Sequence, residues 1–160
     1  MPKIPFKKTS GSVNVLERLR ILDKKQRHAV LATDSDGQPY TSLVAFALTP
    51  DMRGALLATP KKTAKFKNLL HNRNVSLMID SRTNTAKGYM KTEAVTILGT
   101  AVPLRKGQKR DGSAAVLIRK HPELSGFVNA HTTALIFISF RKVIHVGQFQ
   151  SVTAWEAGRS

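Results

Sequence analysis

The sequence predicts a mainly β protein with helices (α+β), in which six or seven antiparallel strands close into a barrel flanked by two or three helices. Segments in which apolar residues occupy every second position recur along the 160 residues, as in strands that bury one face. Most of these segments are joined by short turns, which is typical of antiparallel neighbours. A few segments have helical spacing instead, and such helices would cover the outside of a barrel.

The strand predictions rest on alternation and on turn residues. Val75, Leu77 and Ile79, for example, occupy every second position, and Asp36-Gly37 is typical of a tight hairpin turn. Gly99 lies inside a long apolar segment and predicts a bulge. The predicted strands are residues 28–34, 40–48, 55–58, 75–80, 93–104, 133–140 and 143–149. The last two form either one long bent strand or a hairpin.

Helical spacing marks three segments. A first helix is expected over residues 12–27, with Ser12 as its N-cap and leucines along one face. The apolar residues within 66–70 recur at i, i+3 and i+4, which predicts a short second helix. A third helix is expected within residues 106–120, before a His-Pro pair that ends it.

Composition indicates one globular domain, residues 12–160, after a flexible leader at residues 1–11. Hydrophobic residues make up 41% of the chain, no segment has the length of a membrane span, and there is no cysteine. A cytoplasmic location is therefore expected. The formal net charge of +16 favours anionic partners and non-specific nucleic-acid binding. No nucleic-acid motif is recognisable, however, because the basic residues are scattered.

One turn concentrates basic and hydroxyl groups at the start of the short second helix. The residues of this turn are Thr59, Lys61, Lys62, Thr63 and Lys65. A helix N-terminus offers free N–H groups and a partial positive charge, both of which suit a phosphate group. The alternative is that this segment is a solvated basic turn on a basic protein.

This central segment resembles the pyridoxamine 5′-phosphate oxidase-like family of FMN-binding split barrels. The positions that match the family pattern without a gap are Thr59, Lys65, Asn72 and the run Val75-Ser76-Leu77. The Ala-Thr, Asp-Gly-x-Pro and Ser pattern of the first hairpin is similar as well. Two positions differ, because Ala64 replaces the family's arginine and Ala94 replaces a glutamine that contacts the flavin. Lys61 or Lys62 would then supply the missing charge.

The resemblance implies a split β-barrel that binds FMN at the interface of a homodimer and acts as an oxidoreductase on an unknown substrate. The residues that it assigns to the flavin ring are Ser42, Leu43 and Val44. The residues that it assigns to the phosphate are Thr59, Lys61, Lys62 and Lys65. No catalytic side chain can be named, and the five histidines lack metal-ligand spacing. A flavin can carry redox chemistry in a protein with so few reactive side chains.

Two alternatives stay open. The segment Val146-Gly147-Gln148-Phe149 and the run Lys120-His121-Pro122 resemble the heme-utilisation branch of the same family, which implies a heme-binding or heme-degrading protein. His145 lies beside that segment, although a lone strand histidine is more often packed than a ligand. The second alternative is a cofactor-free module that binds anions or nucleic acid. The substrate-binding tail of true pyridoxamine-phosphate oxidases is not found, so that activity is not expected.

Overall fold

Seven strands form one antiparallel sheet in the computed structural model, which describes residues 13–147 and 151–158. The strands are β1 (His28–Ser35), β2 (Gln38–Leu48), β3 (Gly54–Pro60), β4 (Asn74–Asp80), β5 (Ala94–Pro103), β6 (Thr133–Gly147) and β7 (Ser151–Glu156). The order of strands in the sheet is β3-β2-β1-β4-β5-β6-β7, and β3 also pairs with β6. Six strands therefore close into a barrel, and β7 extends the sheet beyond β6, in agreement with the predicted fold class.

The barrel is split between β2 and β3. These strands pair only from Phe46, opposite Leu57, to Leu48, opposite Ala55. Beyond Leu57, β3 continues its pairing with β6 as far as Pro60, which lies opposite Thr133. The first half of β2 and the last residues of β3 thus face the same opening without pairing to each other.

Four α-helices and two short 3₁₀ helices accompany the described strands, which is more helical segments than the sequence predicted. The α-helices are α1 (Val15–Lys25), α2 (Ala64–His71), α3 (Gln108–Lys120) and α4 (Ser125–Asn129). The 3₁₀ helices are Ala86–Lys91, between β4 and β5, and Pro122–Leu124. No helix in residues 13–147 or 151–158 is long and apolar enough to cross a membrane.

The predicted bounds of the first helix are wrong at both ends. Asn14 is the N-cap of α1, and its Oδ1 accepts a hydrogen bond from the Glu17 N–H at 3.1 Å. Ser12, the predicted cap, and the predicted leader lie outside the described residues. Asparagine caps a helix as well as serine does, and Asn14 has the advantage that buried Val15 follows it. The helix ends early because Gln26 already has extended backbone angles.

The end of the chain differs from prediction as well. β6 is one strand of 15 residues, so the hairpin alternative is wrong, and residues 148–150 lie outside the described residues. β7 was not predicted, because its residues are partly buried and do not alternate clearly. The predicted bulge at Gly99 is confirmed by a shift in register between Leu98 and Gly99 against β6.

Two apolar clusters hold the elements together. The larger fills the barrel with side chains such as Phe46, Leu77 and Ile97, and Leu19 of α1 belongs to it. The smaller cluster packs α3 and α4 against the outer side of β2, β3 and β6 around Leu117. The helices therefore cover part of the barrel wall, and the outer surface of β1 and β4 is left for a site.

Candidate functional site

The opening between β2 and β3 is where the structure places the turn predicted to hold a phosphate. Thr63 is the N-cap of α2, and its Oγ1 accepts a hydrogen bond from the Phe66 N–H at 3.3 Å. Asn68 in the middle of α2 donates to the Thr33 Oγ1 at 3.2 Å, which ties the helix to β1. The capped first turn of α2 is therefore held in place beside the split.

Thr59 has no accessible surface, and its hydroxyl lies 2.9 Å from that of Thr63. This contact couples the end of β3 to the cap of α2. Thr59 therefore positions the turn, and its Oγ1 would have to exchange a partner to contact a phosphate directly.

The three lysines of the turn are not equivalent. Lys61 Nζ donates to the His131 carbonyl oxygen at 3.0 Å, so that lysine is directed towards the segment before β6. Lys62 is exposed and Lys65 is partly buried. Neither has a hydrogen bond or ion pair to any residue that the structure describes. Lys62 and Lys65 are consequently the cations of the turn that could meet an anion without losing a partner.

The three residues assigned to the flavin ring do not share one face of β2, because Leu43 points away from the face of Ser42 and Val44. Val44 is 5% exposed and belongs to the barrel core, so only its main chain could touch a ring. Leu43 is 67% exposed on the outer surface. The Ser42 Oγ is buried and has no hydrogen-bond partner among the described residues. Such an atom is costly to leave unpaired, so a ligand or a water is expected to satisfy it.

A groove of about 400 Å³ runs along the outer side of β1 and β4, with Leu43 and Met78 in its wall. Arg27, His28 and Arg82 also line it. The register explains this grouping, because Val30 lies opposite both Leu43 on β2 and Met78 on β4. The groove combines apolar side chains with two guanidinium groups and an imidazole. Sequence reasoning missed all three polar residues, since no short spacing links Arg82 to Arg27.

A second pocket, of about 640 Å³, adjoins this groove and shares Arg82 and Asn84 with it. Its further lining includes Tyr89, Ala94 and Val146. Ala94 is the position at which the family has a glutamine. The small side chain leaves this wall apolar and roomy, so the region could receive a flat ligand larger than a side chain.

His145 is packed inside the protein rather than presented to a ligand. It is 5% exposed, and its Nε2 lies 2.8 Å from the Glu93 Oε2. Arg18 donates to both oxygens of the same carboxylate. The hydrogen bonds from Arg18 lower the pKa of Glu93, and the hydrogen bond from His145 acts in the same direction. His145 and Glu93 are thus shielded while Arg18 reaches them from the surface, and no cluster of metal-ligating residues exists in the described ranges.

Comparisons with known proteins agree with this architecture. A family model described as pyridoxamine 5′-phosphate oxidase matches residues 16–143. A heme binding protein from Mycobacterium smegmatis superposes with a TM-score of 0.79 at 17% identity, over 91% of this chain and 59% of that chain. The present chain thus spans less than two thirds of that protein. No curated protein sequence matches significantly.

Two further solved structures have the same fold and differ in what their names state. HutZ, a heme storage protein from Vibrio cholerae, has a TM-score of 0.68 at 17% identity, over 81% of this chain and 92% of that chain. An FAD-binding protein from Mesorhizobium loti has a TM-score of 0.63 at 20% identity, over 83% of this chain and 94% of that chain. Identities this low establish a common fold and leave the ligand open.

Proposed function

Because the family model matches residues 16–143, the chain belongs to the pyridoxamine 5′-phosphate oxidase family, and we propose that it is an FMN-binding oxidoreductase that works as a homodimer. FMN when bound supplies the redox chemistry, and the protein binds and orients it. The substrate is a small molecule that the residues do not identify. A cytoplasmic location is part of the proposal, since the chain has no cysteine.

The observation that carries this proposal is the pair of unpaired lysines beside the capped start of α2. A phosphate monoester carries about −1.5 to −2 charges at neutral pH, and burying it requires cations and donors. Lys62 and the partly buried Lys65 supply the cations. The helix N-terminus adds a favourable dipole. Thr59 and Thr63 hold this arrangement through their 2.9 Å contact.

The ring of the flavin would lie against β2, where an apolar and a polar group are both available. Leu43 offers an exposed apolar side chain. The buried Ser42 Oγ has no partner among the described residues and can donate or accept a hydrogen bond. Successive strand residues point to opposite faces, so Leu43 would contact the ring on the outer face of β2, while Ser42 points to the face that it shares with buried Val44. The lysines beside the start of α2 would hold the phosphate at the other end of such a ligand.

The test is a titration of apo-protein with FMN and with riboflavin, which lacks the phosphate. FMN should bind the purified protein with a flavin absorbance band and should bind more tightly than riboflavin. Equal affinities would contradict a phosphate site at the turn. A protein that binds neither compound would refute the flavin proposal as a whole.

A heme-binding function is the second candidate, and the groove beside β1 favours it. His28 could ligate an iron against the apolar wall. Arg27 and Arg82 would have to leave their ion pairs with Glu123 and Asp80 to meet the carboxylates of a porphyrin. The neighbours named as heme proteins make this candidate worth testing. Hemin titration of His28→Ala, with exposed His131→Ala as control, would test it. A Soret shift lost only in His28→Ala supports heme binding, and equal spectra exclude His28 as a ligand.

A further inference from the structure

Acidic residues are missing from three long segments that contain β3, α2, β5, β6 and most of β4. Residues 52–79, 94–110 and 124–155 contain no aspartate or glutamate. The exposed lysines and arginines that follow β3 or β5, precede β4 or lie on α2 are Lys61, Lys62, Arg105, Lys106, Arg73 and Lys67. We call this set the basic end.

The strand register brings these cations to the same end of the barrel. β3 finishes at Pro60 where β6 begins at Thr133, and Lys61 and Lys62 follow Pro60. β4 begins at Asn74, opposite Thr100 near the end of β5. Arg73 accordingly precedes β4, and its carbonyl oxygen accepts a hydrogen bond from the Ala101 N–H at 2.8 Å. Arg105 and Lys106 follow β5, and Lys67 lies on α2 beside the split.

The charges of the basic end are not neutralised within the described part of the protein. None of the ion pairs among the described residues involves a member of the basic end. The basic residues in these ion pairs are Arg18, Arg20, Arg27, Arg82, Lys120, Lys142 and His145. The acids on neighbouring elements are Asp34 and Asp36 on the β1–β2 hairpin and Asp111 in the first turn of α3. Of these, Asp34 already accepts a hydrogen bond from the Gly37 N–H at 3.0 Å. Like charges held together repel one another, and a bound polyanion would remove that repulsion.

We propose that the basic end binds the phosphate backbone of double-stranded nucleic acid without reading its sequence. One flavin phosphate would use Lys62 and Lys65, whereas the cations of Lys67, Arg73, Arg105 and Lys106 extend well beyond that turn. The backbone of a nucleic acid carries many separate phosphates along its length, and such a ligand matches cations that are spread over three segments of the chain. Membrane binding would need a broad apolar face, and Leu70 is the large apolar residue of α2 that is markedly exposed.

Binding of this kind has a characteristic salt dependence. Each phosphate that a lysine or arginine neutralises contributes about −0.9 to the slope of log K against log salt. Four to six contacts, the order of magnitude that this surface offers, predict a slope of about −4 to −5. The affinity should then fall by about 100- to 1,000-fold between roughly 50 and 200 mM salt. The slope therefore reports how many cations of the surface take part.

The experiment measures fluorescence anisotropy of a duplex of about 20 base pairs with the full chain. The double variant Lys67→Gln/Arg73→Gln removes two cations that have no role in the proposed flavin site. Lys24→Gln/Arg119→Gln is the matched control, because it removes the same charge from exposed residues near the contact of Asp23 with Lys120. That contact lies away from the basic end, beside the start of β1.

We expect the Lys67→Gln/Arg73→Gln variant to have a salt slope that is less negative by about 2 for every duplex sequence, at about 1 per contact. The control variant should keep the slope of the parent. If the salt slope changes equally in both variants, the effect depends on the net charge of the protein alone, and the proposal is overturned. No duplex binding at about 50 mM salt would also overturn it.

The last measurement tests the binding of the parent and both variants to vesicles that contain phosphatidylserine. If vesicle binding but not duplex binding depends on Lys67 and Arg73, the partner is a membrane and the proposal fails. FMN affinity should stay at the parent value in this variant, so the two proposals fail separately.

Discussion

The imidazole of His145 and the carboxylate of Glu93 form a contact of 2.8 Å between the C-terminal end of β6 and the residue ahead of β5. Arg18 donates to the same carboxylate from α1. Three separate segments are therefore joined through one acidic side chain. The contact is largely shielded, since the side chains of His145 and Glu93 are 7% and 13% exposed. Glu93 is for this reason the acid whose loss should matter most for stability.

Glu93→Gln should lower the free energy of unfolding by about 1–3 kcal/mol at neutral pH, because it weakens charge-assisted hydrogen bonds from two partners. Urea denaturation of the variant and the parent measures the difference. Glu123→Gln is the control, since Glu123 pairs with Arg27 in an exposed ion pair and such solvent-screened pairs contribute little to stability. Equal losses in the two variants would contradict a structural role for the triad.

The stability of the protein should also depend on pH through Glu93. The hydrogen bonds from Arg18 lower the pKa of this carboxyl below its ordinary value of 4.5. The unfolded chain therefore takes up the proton at a higher pH than the folded protein, and acid favours unfolding. The contribution is present above about pH 4.5 and is lost as the pH falls below that value. Parent and Glu93→Gln should converge in acid, and a constant difference down to low pH would contradict this assignment.

Lys65→Ala should weaken FMN binding by about 10- to 150-fold, because a charge-assisted hydrogen bond contributes about 1.5–3 kcal/mol. Riboflavin binding should change little, since riboflavin has no phosphate. Lys67→Ala is the matched control on the exposed side of the same helix, and it should bind FMN as the parent does. Isothermal titration of apo-protein with FMN and with riboflavin measures the affinities of the parent and of both variants. If the two variants bind FMN equally, the segment is a solvated basic turn.

Leu43→Glu should convert the proposed dimer into monomers. Leu43 is a large apolar residue that is 67% exposed, and we expect the second subunit of the proposed dimer to cover it. An uncompensated buried carboxylate there costs about 3 kcal/mol or more. Light scattering at micromolar concentration should give twice 17.6 kDa for the parent and the single mass for the variant. Leu70→Glu, at a leucine that is 46% exposed on α2, is the control and should stay dimeric. A monomeric parent with flavin bound would refute the dimer.

Gly99→Ala should destabilise the barrel by about 1–3 kcal/mol through overpacking. A Cβ at this position would lie 2.6 Å from the Ser139 carbonyl oxygen, a main-chain atom that cannot move alone. Gly112→Ala is the opposite case, because nothing lies within 4 Å of a Cβ there. In the middle of α3 that change should stabilise by about 0.5–1 kcal/mol. Urea denaturation measures the free energy of unfolding of both variants. A change of the same sign in both would contradict this account.

The regular part of the fold was predictable because its signals are local. Val75, Leu77 and Ile79 of β4 are buried as their alternation predicted. Gly99 marked the bulge because a residue with a Cβ would clash there. β7 was missed for a physical reason, since its residues are partly buried against β6 on one edge and need no clear alternation. The single long β6 was undecided because Arg141-Lys142 interrupts its apolar pattern.

The candidate site was predictable only where its residues are neighbours in the chain. The basic turn between Thr59 and Lys65 could be found in the sequence. The structure shows that the lysines of this turn are not equivalent. Lys61 donates to the His131 carbonyl oxygen, whereas Lys65 has no partner in the described ranges. The groove with His28 and Arg82 had no sequence signal, because pairing of β1 with β4 creates it.

The amino-acid sequence by itself determined which segments become β1 to β5, where Gly99 bends one of them, and that the basic residues greatly outnumber the acidic ones. These properties depend on side-chain type and on spacing of a few residues. Only the tertiary structure decided that the barrel opens between β2 and β3, that Val44 lies inside and Leu43 outside, and that Arg18, Glu93 and His145 meet. Strand register decides such contacts, and register follows from how all the buried faces pack together at once.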